Sequence, residues 1–95
     1  MGEVTWSPAA WQDVEAIASY IAGDSSDQAS LFVLRLLEAT DRLRDFPGSG
    51  RVIPELGDPA RREIIVYPYR VMYQPEVDQV SITGVVHGAR DWRPQ

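Results

Sequence analysis

Residues 84 to 92 read GVVHGARDW and set the chain's single histidine, His87, close to Arg90, Asp91 and Trp92. An imidazole exchanges protons near neutral pH, and a guanidinium holds carboxylate or phosphate in a forked contact. The stretch therefore admits three readings: a catalytic terminus, a binding terminus, or the end of a strand. Upstream stand further arginines, Arg51, Arg61, Arg62 and Arg70, the last inside YPYRVMY with Tyr67, Tyr69 and Tyr73 around it.

Each of these residues also has a structural reading. A histidine at the edge of a half-buried strand is more often a hydrogen-bonded residue than an acid or base. Arg70 alternates with Tyr69, Val71 and Tyr73, so it faces the other side of a strand, where Glu63 on a neighbouring strand could pair with it. Pairing and ligand binding both stay open for it. Arg90 and Asp91 suit a local turn or ion pair, and Trp92 suits a packed staple for the terminus. Arg51, Arg61 and Arg62 read as solvated charges or as an anion-attracting patch. The tyrosines could stack on bases or pack in a sheet.

The elements that position these residues follow from periodicity. EVTW at 3 to 6 reads as a short strand, and Ser7-Pro8 supplies an N-cap with proline at the first helical position. Trp11, Val14, Ile17, Ala18 and Ile21 recur at helical spacing up to Gly23, while Gln12, Asp13, Glu15 and Ser19 fall elsewhere. Ser25 and Gln28 fit a capping box opening a second helix. Its apolar stripe is Phe32, Leu36, Ala39, Leu43 and Phe46, flanked by Val33 and Leu37, with Pro47 as its stop. The segment PGSGRVIPELGDPA, with three prolines and three glycines, reads as an ordered loop without regular structure. REIIVY, YRVMYQ and QVSITGVV then read as three strands with connections short enough to require antiparallel pairing. The expected fold is α+β: a short N-terminal strand, a two-helix hairpin and a three-stranded antiparallel meander, with the helices on one face of a twisted sheet.

Composition narrows the function classes. A chain of 95 residues with 44% apolar content suits one domain. It contains no run of about 20 apolar residues and no signal-peptide pattern at its start, so a cytoplasmic protein without a membrane partner is expected. Without cysteine there is no disulfide or thiolate zinc site, and no metal or other cofactor is expected. The net charge of −5 is uneven: residues 1–50 hold eight acids against three arginines, and residues 51–95 hold six of each. All nine cations are arginine. With a pI near 4.6, strong direct nucleic-acid binding by the chain alone is not expected, because phosphate neutralisation supplies most non-specific affinity.

The ordered set of SPAA, FPGSGR, RREIIV, YPYRVMY and VVHGARDW resembles the RelE/ParE superfamily of toxins across nearly the whole chain. The resemblance implies the toxin of a type II toxin–antitoxin pair, held by a cognate antitoxin in a hetero-oligomer. RelE-like members cut mRNA in the ribosomal A site; ParE-like members poison DNA gyrase. By the resemblance, Arg70 and Arg90 match the two arginines that hold the scissile phosphate. The paired lysines of RelE-like toxins fall near Arg61 to Glu63, where this chain has no lysine, and their C-terminal tyrosine lies at a distance past Arg90 that this chain barely reaches. An arginine does not readily serve as a general base, which leaves His87 as the one ordinary candidate. The expectation is therefore a ParE-like gyrase inhibitor, with a ribosome-dependent endoribonuclease built on Arg70, Arg90 and His87 as the alternative, and a non-toxic antitoxin-binding homologue as a third reading. Arg51, Arg61, Arg62, Arg70, Tyr73, His87, Arg90 and Trp92 are the candidates for target or partner contact.

Overall fold

A computed structural model describes residues 2–89. The elements run β1 (Glu3–Trp6), α1 (Pro8–Ala22), α2 (Ser26–Asp41), a 3₁₀ turn at Arg42–Arg44, β2 (Arg51–Val52), β3 (Arg62–Val66), β4 (Tyr69–Pro75) and β5 (Gln79–His87). No helix among the described residues is long and apolar enough to cross a membrane. The α+β expectation holds: β3, β4 and β5 form the antiparallel meander, and the two helices pack on one face.

Both helix starts follow from their caps. The Ser7 hydroxyl accepts from the Ala10 amide at 3.0 Å, with Pro8 opening α1, and the Ser25 hydroxyl accepts from the Gln28 amide at 3.2 Å. Ala10 and Val14 of α1 and Phe32 and Leu36 of α2 meet Val66, Val71, Tyr73, Val80, Ile82 and Val85 of the sheet in one apolar cluster.

Two features at the sheet edges complete it. β1 lies parallel to β5, with Glu3 to Trp6 opposite Gln79 to Ile82, so the sheet order is β1-β5-β4-β3-β2. β2 corrects the expectation that residues 47–60 lack regular structure: Arg51 and Val52 pair with Glu63 and Arg62. Gly50 permits that approach, since a Cβ there would stand 2.5 Å from the Glu63 carbonyl oxygen and 2.6 Å from the Tyr73 hydroxyl.

The α2 stripe departs from expectation at its far end. The Thr40 hydroxyl donates back to the carbonyls of Leu36 and Leu37, a contact that bends helices, and the chain tightens into the 3₁₀ turn. The tighter screw keeps Leu43 buried but carries Phe46 off the stripe, leaving it 65% exposed. Asp13 also differs from its expected outward place. Between Met72 and Tyr73 the β4–β5 register slips past Thr83, and the Asp13 carboxylate reaches from α1 to accept the Val85 amide at 3.0 Å.

Candidate functional site

Alternation along β4 turns Tyr69, Val71 and Tyr73 toward the helices and Arg70 to the opposite face, as the sequence suggests. There the structure assembles a chain of alternating charges. Arg70 Nε donates to Glu63 Oε1 at 2.8 Å, and Nη2 lies 2.7 Å from the same oxygen. Its remaining fork meets Glu55, with Nη1 to Oε2 at 2.7 Å and Nη2 to Oε1 at 2.6 Å. On the far side of Glu63, Oε2 accepts from Arg51 Nε at 2.6 Å. Glu63 has no exposed side-chain surface and Arg70 retains 9% of its own, whereas Arg51 is 60% exposed.

These partners set the protonation states. Hydrogen bonds from Arg70 hold the Glu55 carboxyl down at about 2, against an ordinary 4.5. The Arg70 guanidinium is pushed further above its ordinary value, first by its hydrogen bonds to Glu55 and then, against burial, by those to Glu63. Between the two carboxylates, Arg70 is a clamp joining the β3–β4 pair to the loop after β2. Pairing with Glu63 was one of the two readings left open for Arg70; the contribution of Glu55 was not foreseen, because register says nothing about a loop residue.

Arg62 Nη1 donates to the Gly50 carbonyl at 3.0 Å, so Arg62 and Arg51 both have defined partners and are more than solvated charges. Arg61 is half-buried, with its Nε enclosed and unbonded. Tyr73 is fully buried: its hydroxyl donates to the Pro47 carbonyl at 2.7 Å and accepts the Gly50 amide at 2.9 Å, and burial pushes its pKa up. That removes its ring from any base-stacking surface. Tyr69 packs on Phe32 with ring centroids 5.0 Å apart, whereas Tyr67 is exposed.

His87 sits at the exposed end of β5 opposite Tyr69, their rings edge to face at 5.5 Å. Its Nδ1 accepts the Ala89 amide at 3.0 Å, which places the proton of the neutral ring on Nε2. Arg90, Asp91 and Trp92 lie outside the described residues. No group of three potential metal ligands occurs among the described residues.

Residues 4–92 match the family model described as the ParE toxin of type II toxin–antitoxin system, parDE. The chain belongs to the ParE toxin family. Among relatives of this ParE-family chain, toxin RelE2 of Caulobacter vibrioides is 35% identical over 90 residues, covering 95% of the chain and 99% of RelE2. Protein Y4kP of Sinorhizobium fredii is 32% identical over 95 residues, covering 94% of the chain and 91% of Y4kP. A solved structure described as the chromosomal ParDE TA system from P. aeruginosa superposes with a TM-score of 0.74 over 92% of this chain and 96% of that one, at 19% identity, and so shares the fold. The resemblance to RelE/ParE superfamily toxins is thereby established for this ParE-family chain, over a match that runs from β1 through β5 of the described residues.

Proposed function

We propose that this toxin acts when free as a protein inhibitor of DNA gyrase in the cytoplasm, the whole chain serving as one domain without a cofactor, and that a cognate antitoxin neutralises it in a hetero-oligomer. The choice of gyrase over RNA is carried by Arg70. Its guanidinium is engaged by both Glu55 oxygens and by Glu63, so a phosphate at this point would have to displace a carboxylate from two charge-assisted hydrogen bonds. The Nδ1 of His87 already accepts a backbone amide, and the chain has no lysine to share the work of acid or base. General acid–base assistance is worth about 10²- to 10⁴-fold in rate, so a ribonuclease lacking it would be slow.

Purified protein is expected to inhibit gyrase supercoiling and to leave mRNA intact on programmed ribosomes. His87→Ala is expected to keep toxicity as long as it folds. Site-specific A-site cleavage by the wild type that vanishes in folded His87→Ala would overturn the gyrase reading in favour of an endoribonuclease using Arg70, Arg90 and His87. Induction without antitoxin that leaves growth unchanged would instead mark a homologue that keeps antitoxin binding and has lost toxicity.

A further inference from the structure

Residues 54–60 leave the sheet after β2 and return before β3 as a strap. Its stems are tied at the base, where the Ile53 amide donates to the Arg61 carbonyl at 3.0 Å, and Ile53 is fully buried. Above that tie every residue is exposed except the half-buried Leu56. The backbone bonds of the strap stay within it and its base: the Leu56 and Gly57 amides donate to the Ile53 carbonyl, and the Arg61 amide donates to that of Asp58. Gly57, with φ at 63°, turns the chain back. Among the described residues, the hydrogen bonds that reach from the strap beyond residues 53–61 are those that Glu55 accepts from Arg70.

The two acids hold Arg70 on unequal terms. Glu63 has no exposed side-chain surface and stands on β3, which is paired with β4, so it stays wherever the strap goes. Glu55 keeps 31% of its side chain exposed and rides on an exposed loop, which makes it the partner that can leave. With Glu55 gone, Glu63 is the carboxylate that still serves both Arg70 and Arg51 among the described residues. One negative charge shared by two guanidinium groups favours a single incoming anion. A carboxylate replaces Glu55 charge for charge and matches the planar fork. A phosphate brings more charge, which the buried Glu63, 2.7 Å from Arg70 Nη2, repels.

We infer that Glu55 is the resident occupant of a carboxylate site on Arg70, and that the strap lifts to yield the fork to an acidic side chain of a protein partner. The site disfavours phosphate, in keeping with the gyrase reading above, but its test needs no target.

The full chain and its Glu55→Ala variant are titrated with sodium acetate and, separately, with sodium phosphate at fixed pH and ionic strength, while nitrogen NMR follows the Arg70 Nε–H resonance. A carboxylate fixed by a folded loop outcompetes one free in solution, since its ordering cost is met on folding. The Glu55→Ala resonance is therefore expected to saturate with acetate at a concentration at least about tenfold below that needed by the wild type, and to respond less to phosphate. In the wild type, the Leu56 and Gly57 amide resonances should move at the same acetate concentrations as Arg70, reporting the lifted strap. Glu55→Gln removes the charge and keeps the shape, so it is expected to titrate below the wild type even where alanine unsettles the loop. Equal acetate midpoints in the wild type and both variants, or an Arg70 resonance that acetate moves in neither variant, overturn the site. Tighter binding of phosphate than of acetate by the variants overturns the carboxylate assignment. Leu56 and Gly57 amides that stay fixed while wild-type Arg70 responds overturn the lifting strap.

Discussion

Removing the Arg70 guanidinium would strand Glu63, a carboxylate with no exposed side-chain surface, beside a single partly solvated arginine. Breaking one partner of a buried pair typically costs about 3–5 kcal/mol, so Arg70→Ala should lower the urea midpoint sharply. The double variant Arg70→Ala with Glu63→Leu should recover part of the loss, since no uncompensated buried charge remains, and Glu55 and Arg51, which lose their partners, both reach solvent. Glu55 carries a pH signature. Its folded value of about 2 lies below the ordinary 4.5, so the unfolded chain binds a proton there first as acid is added. The stability it contributes is complete above pH 4.5 and lost as pH falls toward about 2. Urea midpoints measured across that window should decline less steeply in Glu55→Gln than in the wild type. This site was partly legible in sequence. Strand alternation places Arg70 opposite the core and within reach of Glu63, whereas Glu55 lies in an irregular loop to which no periodicity applies. Tyr73 was left open between stacking and packing for a related reason: alternation turns it inward, but only the approach of Pro47 and Gly50 shows that its hydroxyl is satisfied there.

Where elements meet, single groups close the gaps that regular structure leaves. Asp13 satisfies the Val85 amide beside the slipped β4–β5 register. Asp13→Ala should cost about 1–3 kcal/mol, the penalty for an unpaired partly buried donor, while Asp13→Asn, which keeps an acceptor oxygen, should cost less. Thermal melts of the two variants compare them directly. Gly50→Ala should be worse tolerated than substitution of Gly48, where a Cβ meets nothing within 4 Å. The added carbon at Gly50 would collide with the Glu63 carbonyl and the Tyr73 hydroxyl together, loosening β2 and the buried phenol, which a lowered melting temperature would report. Helix starts and the meander were legible because caps and alternation are local. β2 and the Asp13 contact were not, since each depends on a partner distant in sequence, and the 3₁₀ turn after α2 was missed because the apolar stripe carries no sign of the Thr40 hydroxyl bonding back to Leu36 and Leu37.

At the scale of the molecule, one border of the sheet is made by strands far apart in sequence, β1 lying beside β5 in parallel. Deleting residues 1–6 would bare the edge of β5 along Val80 and Ile82 and remove the Trp6 ring that meets Trp11 at 5.7 Å. The shortened chain is expected to aggregate or to elute as a larger species by size exclusion, where the full chain elutes as its compact self. The same topology sets an order of events during synthesis. Glu3 to Trp6 leave the ribosome first, yet their partners Gln79 to Ile82 are added more than 70 residues later. At translation rates of about 5–20 residues per second the first strand waits several seconds for its neighbour. Until Gln79 to Ile82 have followed, β1 has no partner and the edge of β5 that it covers does not yet exist, so the five-strand order is complete only after nearly all of residues 3–87 have been made.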